Sequence, residues 1–336
     1  MVNVLVVTPN FEKSMPDADP ECLRRIRAVN PGITVRDGAA LTTAELKGDY
    51  SQKEKLDSLL AWTDVLFGLI APPNTIARAP NLKWIQVISA GVDRWINTDV
   101  WRSRIILTGV SGIHATPIGE FVMALMLMFA KNTPLSFKMM RTRRWQRYPT
   151  HTLRGKTVGI IGLGHIGREV ARLSKAFGMK VIATRRSTVS PARARNVDLL
   201  LPQSRVKEML EGSDYVVLSV PLTPETRHIV GEAELKAMRA NAVLINIGRG
   251  QLVDEEALIQ ALEKRLIAGA GLDVTHTEPL PEKSPLWNFE NVIISPHVSG
   301  GMEDYILRAT DVFCENLRRY LAGKRLLNVV DRNRGY

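Results

Sequence analysis

Cysteine is almost absent from this chain of 336 residues. Its two cysteines, Cys22 and Cys314, lie far apart, and neither belongs to a paired-cysteine spacing. This excludes a cysteine-based zinc site and the disulfide framework of a small secreted domain. The chain is long enough for two domains that each bury a core, so neither needs a metal or a disulfide to fold. We therefore expect a reducing, cytoplasmic compartment.

Long apolar runs are also missing. The nearest candidate, Phe121 to Ala130, has the length of a core helix, whereas a membrane span needs roughly 18 apolar residues or more. The apolar start, Met1 to Val7, lacks the basic leader and the small-residue cleavage site of a signal peptide. It predicts a first β-strand, and the sequence as a whole predicts no membrane partner.

Aromatic residues are few, at 6% of the chain, although the formal net charge is +11. Such a charge raises the question of nucleic-acid binding. The arginines cluster in three places: Arg141, Arg143 and Arg144; Arg185 and Arg186; Arg193 and Arg195. Because no aromatic ladder or nucleic-acid motif accompanies them, they favour a solvated basic surface with some residues that meet small anions. Nucleic-acid binding is an alternative that rests on charge alone.

Short apolar runs alternate with helical patterns along most of the chain, which predicts an α/β protein with parallel sheets. The predicted strands are Val2 to Val7, Val65 to Ile70, Trp84 to Ile88, Thr157 to Ile161, Lys180 to Thr184, Tyr215 to Val220, Val243 to Ile247, Ala268 to Leu272 and Val292 to Ile294. A helix near Cys22 to Val29 lies in the first half. Another, Ile118 to Lys131 with Pro117 in its first turn, is expected to cross between domains. A third, Glu255 to Lys264, follows Asp254 as its N-cap.

The strands divide between two domains. Residues 110–298 are predicted to form a doubly wound (Rossmann) nucleotide-binding domain. Residues 1–109 and 299–336 are predicted to form a discontinuous, flavodoxin-like substrate-binding domain. The helical pattern Tyr305 to Leu321 comes too late for the nucleotide-binding sheet, so we expect this helix to pack back on the first domain.

A glycine-rich turn, Gly162-Leu163-Gly164-His165-Ile166-Gly167, directly follows a predicted strand and opens a helix with Ile166, Val170, Leu173 and Phe177 on one face. Gly162 permits the tight turn, Gly164 lets a pyrophosphate approach the backbone, and Gly167 lets the helix pack on the strand. The helix N-terminus adds amide donors and positive potential. This context predicts a dinucleotide site, with Gly162, Gly164, His165, Ile166 and Gly167 as contacts.

The dinucleotide is predicted to be NADP. About twenty residues after such a turn, an NAD site offers Asp or Glu to the adenosine ribose. Here Arg185, Arg186 and Ser187 stand there instead. Guanidinium groups pair with a 2′-phosphate through charge-assisted hydrogen bonds, and a serine adds a donor. NAD is the weaker alternative, and the competing interpretation is that these arginines are simply solvated.

Three residues that follow successive predicted strands suit carbonyl reduction. His297, in Ser295-Pro296-His297, is the histidine best placed for proton transfer. A carboxylate neighbour such as Glu278 stabilises the charged form of a histidine. Arg249, in Gly248-Arg249-Gly250, suits a carboxylate next to a carbonyl. Taken singly, each residue has an equally good structural interpretation, and the sequence does not show that the three converge.

These motifs, with Val253-Asp254-Glu255 and Asp273, together resemble the D-isomer-specific 2-hydroxyacid dehydrogenase family over nearly the whole chain. The resemblance implies a catalytic triad in which Arg249 orients the substrate, His297 shuttles the proton and Glu278 tunes His297. It also implies that the amides of Ser89, Ala90, Gly91 and Val92 grip the substrate carboxylate. Further cofactor contacts are expected at Thr116, Val220, Pro221, Thr226, Ile247, Asp273 and Gly300. Asp273 has a buried capping role as its alternative.

Two features refine the resemblance. Arg185 replaces the usual acidic residue and is similar to the NADP-preferring glyoxylate and hydroxypyruvate reductases, while Glu278 argues against the formate dehydrogenase branch, which has glutamine there. The sequence thus predicts NADPH-dependent, reversible reduction of small 2-oxo acids, without identifying which one. A dinucleotide-sensing corepressor or scaffold is the rival. The resemblance implies a homodimer, with Ile118 to Leu127 as its interface or, equally, a helix buried within the chain.

Overall fold

A computed structural model of the chain describes residues 1–8 and 17–335. Two units result, one made of Met1–Ile113 with Met302–Tyr336 and the other of His114–Gly301. The sequence predicts these divisions at 109/110 and 298/299. Residues 9–16 and Tyr336, which it assigns to the substrate-binding domain, lie outside the described residues. None of the helices in the described part of the chain combines the length and apolarity that crossing a membrane would need.

The first unit is built on a five-stranded parallel sheet in the order β2-β1-β3-β4-β5. Its strands are β1 (Val2–Val6), β2 (Ile33–Asp37), β3 (Val65–Gly68), β4 (Trp84–Val87) and β5 (Ile106–Thr108). Its helices are α1 (Pro20–Arg27), α2 (Ala39–Leu46), α3 (Lys53–Trp62), α4 (Thr75–Arg78), α5 (Asp99–Arg102) and α12 (Tyr305–Leu321), numbered in chain order. This strand order is the flavodoxin-like order that the sequence predicts.

Apolar residues cover both faces of that sheet, as a parallel sheet requires. Alternating side chains of β1 divide between two cores, Val4 and Val6 in one and Leu5 in the other. The late helix α12 covers the first face, where Phe313 stacks on Phe67 with ring centroids 4.5 Å apart. The last helix therefore packs on the first unit, as its sequence pattern predicts.

The second unit is built on an eight-stranded sheet in the order β13-β12-β11-β10-β6-β7-β9-β8. Its strands are β6 (Thr157–Ile161), β7 (Lys180–Arg185), β8 (Ala192–Ala194), β9 (Val197–Pro202), β10 (Tyr215–Leu218), β11 (Val243–Asn246), β12 (Gly269–Leu272) and β13 (Val292–Ile294). Its helices are α6 (Ala115–Ala130), α7 (Thr133–Arg141), α8 (His165–Ala176), α9 (Val206–Glu211), α10 (Glu232–Ala237) and α11 (Glu255–Glu263). Only β8 is antiparallel to its neighbour. The order in which the chain adds strands to the sheet reverses between the parallel strands β6 and β10. This is the doubly wound arrangement, in which ligands bind beyond the strand ends at the point of reversal.

For α6 the structure favours the predicted alternative of a helix buried within the chain, and for α8 it corrects one predicted position. Helix α6 packs against α8 and β11 of its own unit, and most side chains of the proposed interface Ile118–Leu127 are buried or half-buried there. Phe177, predicted on the buried face of α8, is 42% exposed, because the helix ends at Ala176 and Phe177 is its C-cap. The predicted N-cap of α11 is confirmed, since the Asp254 side chain accepts a hydrogen bond from the Ala257 amide.

Candidate active site

The glycine turn after β6 is held tightly by its neighbours. Gly162 has a φ of +98°, and a side chain there would collide with Val220 and with the carbonyl of Ser219. A Cβ at Gly167 would lie 2.1 Å from the Gly162 carbonyl oxygen, so α8 can approach the turn only with glycine at this position. The Ser219 hydroxyl donates to the same carbonyl over 2.7 Å. The turn is therefore fixed from β10 as well as from its own helix.

Gly164 stands in a different environment. A Cβ built on it would meet no described atom within 4 Å, so its glycine is not required by packing. It is the N-cap of α8, and no side chain caps the helix there. The backbone at the N-terminus of α8, where the positive end of the helix dipole lies, is thus open to close approach at Gly164. A pyrophosphate fits this arrangement, since it needs close approach to the backbone and amide donors.

The residues predicted to select the cofactor lie at the end of β7. Arg185 is the last residue of the strand, and Arg186 and Ser187 follow it in a turn; all three are exposed. The Arg185 side chain has no hydrogen-bond or ion-pair partner among the described residues. On the loop after β10, the Thr223 hydroxyl lowers the pKa of Glu225, and the charge of Arg186 lowers it further. Arg186 therefore carries its charge near Glu225.

The three residues predicted to be catalytic follow three neighbouring strands. Arg249 comes after β11, Glu278 after β12 and His297 after β13, and these strands pair side by side in parallel. Because parallel strands end at the same edge of a sheet, their following loops share one surface. The fold thus places all three residues after strands that end at one edge of the sheet.

His297 and Glu278 form a hydrogen-bonded pair. The Nδ1 atom of His297 lies 2.8 Å from Oε2 of Glu278, and both side chains are about two-fifths exposed, at 43% and 40%. Nδ1 is thereby engaged, and Nε2 is the ring nitrogen left to meet a ligand. A histidine oriented in this way by a carboxylate can transfer a proton through its outer nitrogen.

Asp273 organises the loop that carries His297. The side chain is 1% exposed. Its carboxylate accepts hydrogen bonds from the Ser295 hydroxyl at 2.7 Å, the Val298 amide at 2.9 Å and the Ser299 amide at 3.0 Å. Its main-chain carbonyl accepts from the His297 amide at 2.8 Å, which secures the left-handed backbone of His297 at a φ of +56°. The buried capping role is therefore observed, and the predicted nicotinamide contact stays a prediction.

Asn246 and Gly250 shape the loop that carries Arg249. The buried Asn246 side chain donates to the Arg249 carbonyl at 2.9 Å and accepts from the Gly248 amide at 3.1 Å. A Cβ at Gly250 would lie 1.9 Å from the Thr275 carbonyl oxygen, which leaves room only for glycine. This contact holds the Arg249 loop against the segment that leads to Glu278. The guanidinium itself donates to the Gly248 carbonyl through Nη1, at 2.8 Å.

The loop after β4 in the first unit, Ser89 to Val92, presents main-chain amides. Three of its four carbonyls are engaged: Ser89 accepts from the Val110 amide at 3.2 Å, Gly91 from the Ser89 hydroxyl at 2.7 Å and Val92 from the Trp95 amide at 2.9 Å. Within residues 1–8 and 17–335, the amides of Ala90, Gly91 and Val92 donate to no acceptor. A loop that offers donors while most of its acceptors are occupied is suited to an anion.

The remaining predicted contacts lie in varied surroundings. Val220 packs on the Gly162 turn and Pro221 is exposed, whereas Ile247 is buried in the core at 5% exposure. Thr226 is buried, and its hydroxyl donates to the Pro221 carbonyl at 2.7 Å, so it braces the loop after β10. Thr116 is exposed in the first turn of α6, and Gly300 lies against the ring of His114. Their cofactor roles stay predictions.

Sequence reasoning missed the residues that hold the predicted ones in place. Asn246 and Ser219 each donate to a backbone carbonyl of a functional loop, and the Ser295 hydroxyl donates to the Asp273 carboxylate. The Thr275 amide donates to Glu278 Oε1 at 3.4 Å. Their common signal is a polar residue at the end of an apolar strand, which the pattern contained. No group of His, Cys, Asp and Glu residues in the described ranges could hold a metal ion.

Comparison with known proteins places this geometry in a family. A family model described as the NAD binding domain of D-isomer specific 2-hydroxyacid dehydrogenase matches residues 123–299, over half of the chain. A glyoxylate reductase of Aeropyrum pernix is 36% identical over 296 residues, which cover 83% of this chain and 86% of that protein.

Solved structures agree over the whole chain. An NADPH-dependent glyoxylate/hydroxypyruvate reductase of Sinorhizobium meliloti, solved with NADP and sulfate, has a TM-score of 0.82 at 27% identity, with all of both chains covered. A D-isomer specific 2-hydroxyacid dehydrogenase of Xanthobacter autotrophicus, solved with NADPH and MES, has a TM-score of 0.80 at 29% identity and covers 100% of this chain and 99% of that one. The chain therefore belongs to the D-isomer-specific 2-hydroxyacid dehydrogenase family, and it carries that family's dinucleotide-binding domain.

Proposed function

We propose that this chain catalyses the NADPH-dependent, reversible reduction of small 2-oxo acids to D-2-hydroxy acids. The observation that carries the proposal is the arrangement of Arg249, Glu278 and His297 on three neighbouring strand ends, with the His297–Glu278 hydrogen bond already formed. A protein that only sensed a dinucleotide would have no use for such a proton-transfer pair, which is why we prefer the enzyme to the corepressor.

The nicotinamide cofactor supplies the hydride that reaches the carbonyl carbon of the substrate. The oxygen of that carbonyl gains negative charge as the bond forms. The protonated His297 donates a proton to it through Nε2 and becomes a neutral imidazole. The Glu278 carboxylate stabilises the imidazolium before this transfer and holds the ring in position. Arg249 forms charge-assisted hydrogen bonds with the substrate carboxylate and polarises the carbonyl. In the oxidative direction the same groups act in reverse.

The preference for NADP is proposed from the end of β7. Arg185 and Arg186 are exposed there, Ser187 adds a hydroxyl donor, and no carboxylate occupies that strand end. An adenosine 2′-phosphate would pair with these groups, whereas the two hydroxyls of an NAD ribose would lack their usual acceptor. The NADP and NADPH complexes of the Sinorhizobium and Xanthobacter proteins support this choice. NAD is expected to serve as a weaker cofactor.

The substrate carboxylate is proposed to bind the amides of Ser89 to Val92. The unpaired amides of Ala90, Gly91 and Val92 and the three engaged carbonyls support the role that the family resemblance gives to this loop. The first unit is accordingly the substrate-binding domain. The two cysteines are buried and unpaired, in keeping with the reducing cytoplasm that we propose as the compartment.

A steady-state screen tests the proposed reaction. Glyoxylate, hydroxypyruvate, phenylpyruvate and a branched 2-oxo acid would each be offered with NADPH and with NADH, and cofactor oxidation followed by absorbance. We expect turnover of at least one 2-oxo acid, faster with NADPH, and a D product where the product is chiral. A protein that binds NADPH but reduces none of the four would favour the corepressor instead.

We further propose that the chain forms a homodimer through the exposed side of α7 and the residues after it. No residue of α7 is buried, and three large apolar side chains, Phe137, Met140 and Trp145, are exposed on this segment. Apolar groups so concentrated mark an interaction surface, and a two-fold pair would bury the segment on both copies. This replaces the interface expected at Ile118–Leu127, which the core of the second unit already covers.

Sedimentation at micromolar concentration tests the dimer. Wild type is expected to sediment as a dimer and Trp145→Asp as a monomer. Phe177→Asp, at an exposed apolar side chain elsewhere on the second unit, is the matched control and should remain dimeric. A wild-type monomer, or a dimer that Trp145→Asp leaves unchanged, would contradict the proposed interface.

A further inference from the structure

The amide loop of the first unit begins beside a carbonyl that needs its own partner. Ile88, the residue before Ser89, is 1% exposed, so its carbonyl lies away from water. An unpaired carbonyl oxygen there would carry partial negative charge next to the amides that face an anion. Its hydrogen-bond partner therefore affects how well the loop can hold a carboxylate.

That partner is the side chain of Tyr305. The phenol hydroxyl donates to the Ile88 carbonyl over 2.5 Å, although the two residues are 217 positions apart in the chain. Tyr305 is the first residue of α12, and its ring packs against the core that contains Ile88, Val110 and Ile306. The hydroxyl thus reaches the loop from a position fixed by the packing of the helix.

Burial also keeps the hydroxyl available as a donor. It raises the pKa of Tyr305 to about 12, so the phenol stays protonated throughout the neutral range. An ionised phenolate would place a full negative charge beside the loop and repel a carboxylate. The donor is therefore constant, and it keeps the Ile88 carbonyl paired.

We propose that Tyr305 is a positioning residue for substrate binding: its hydroxyl holds the Ile88 carbonyl so that the amides of Ser89 to Val92 stay directed at the carboxylate of a 2-oxo acid. This inference rests on the proposed function, in which that loop holds the substrate carboxylate. It assigns no proton transfer to Tyr305, whose effect is exerted through the backbone.

Tyr305→Phe, which removes only the hydroxyl, tests the inference. The matched control is Tyr320→Phe on the same helix, where the ring packs against Trp84 with centroids 5.4 Å apart. The assay uses the 2-oxo acid of the four-member panel that wild type reduces fastest. Because Tyr305→Phe loses a neutral hydrogen bond, the KM for this 2-oxo acid is expected to rise about threefold to tenfold, with kcat within about twofold of wild type. The inhibition constant of oxalate, a competing anion, should rise by the same factor.

Binding of NADPH supplies the folding control, because its predicted contacts lie in the other unit. Its dissociation constant should be unchanged in both tyrosine variants. The inference would be overturned if KM were unchanged in Tyr305→Phe, or if KM rose equally in Tyr320→Phe. It would also be overturned if the Tyr305→Phe protein failed to fold, or lost kcat and NADPH binding together. A wild type that reduces no 2-oxo acid would refute the proposed function itself, and the inference with it.

Discussion

The loops after β11, β12 and β13 of the second unit differ in kind from the loop after β4 of the first. The former present side chains, and buried groups such as Asp273 and Asn246 hold their backbones from below. The loop after β4 presents main-chain amides, which stay available to a ligand while three of its carbonyls accept hydrogen bonds from other groups of the protein. A site made of side chains should therefore lose rate when it is damaged, whereas a site made of amides should lose affinity.

Arg249→Met should give the largest loss, because it removes both the carboxylate contact and the polarising charge. We expect kcat/KM for a 2-oxo acid to fall about 10²–10³-fold or more, with a lower kcat as well as a higher KM. Steady-state kinetics would measure this. Arg227→Met, at an exposed arginine of the same unit, is the control and should retain wild-type kinetics. A rise in KM without a fall in kcat would show that Arg249 acts on affinity, as the loop Ser89 to Val92 is expected to do. The predicted difference between the two sites would then not hold.

Asp273→Asn should come next, because it acts on the support and leaves the triad intact. A carboxylate accepts through two oxygens, whereas the asparagine side chain has only one acceptor oxygen. The Ser295, Val298 and Ser299 donors would therefore lose part of their hydrogen bonding. Displacement of His297 by even about 1 Å would lower kcat up to about 100-fold.

Asp198→Asn is the matched control for that substitution, since Asp198 also caps a backbone amide, that of Val181, but far along the sheet from the triad. Its kcat should stay close to wild type. Equal kcat values for the two variants would show that the hydrogen bonds of the buried Asp273 carboxylate do not control the rate.

Arg185→Asp should change cofactor choice and leave the chemistry intact. A charged hydrogen bond to a 2′-phosphate is worth about 1.5–3 kcal/mol, so the NADPH/NADH ratio of kcat/KM should fall roughly 10- to 100-fold. Arg193→Asp, on the neighbouring edge strand, controls for a general loss of positive charge. An unchanged ratio, or an equal change in the control, would mean that Arg185 is merely solvated.

Glu225→Gln should have the smallest effect. Glu225 lies close enough to Arg186 for that charge to lower its pKa, so its carboxylate competes weakly with a 2′-phosphate. Removing the charge should lower the KM for NADPH by about twofold at low salt, as befits an exposed pair, and leave NADH unaffected. A higher KM for NADPH would show that Glu225 orients Arg186 productively instead.

Much of the fold follows from short apolar runs in the sequence. The strands Thr157–Ile161 and Val292–Ile294 lie where they are predicted, because continuous apolar runs are typical of strands in a parallel sheet. The edge strand β8, Ala192–Ala194, carries no such pattern and forms by antiparallel pairing with β9. The sequence does not predict this strand, since pairing with a neighbour is not recorded in its own residues.

The candidate active site also combines features that the sequence predicts with features that it does not. Arg249, Glu278 and His297 carry distinctive side chains in recognisable motifs, so their positions could be named from the sequence. Their common position at one edge of the sheet depends on the strand order, which only the folded sheet supplies. The amide loop was identified by resemblance, but the occupation of its carbonyls depends on Val110 and Tyr305, which no local pattern links to Ser89.

A single-turnover experiment on His297→Ala tests most directly whether the strand-end loops carry the chemistry. Enzyme would be mixed with saturating NADPH and the preferred 2-oxo acid, cofactor oxidation followed by stopped flow, and the dissociation constant of NADPH measured separately. We predict a fall of about 10²–10⁴-fold in the oxidation rate with NADPH binding unchanged, the contribution of a positioned general acid. A variant that oxidises NADPH at the wild-type rate would contradict the account.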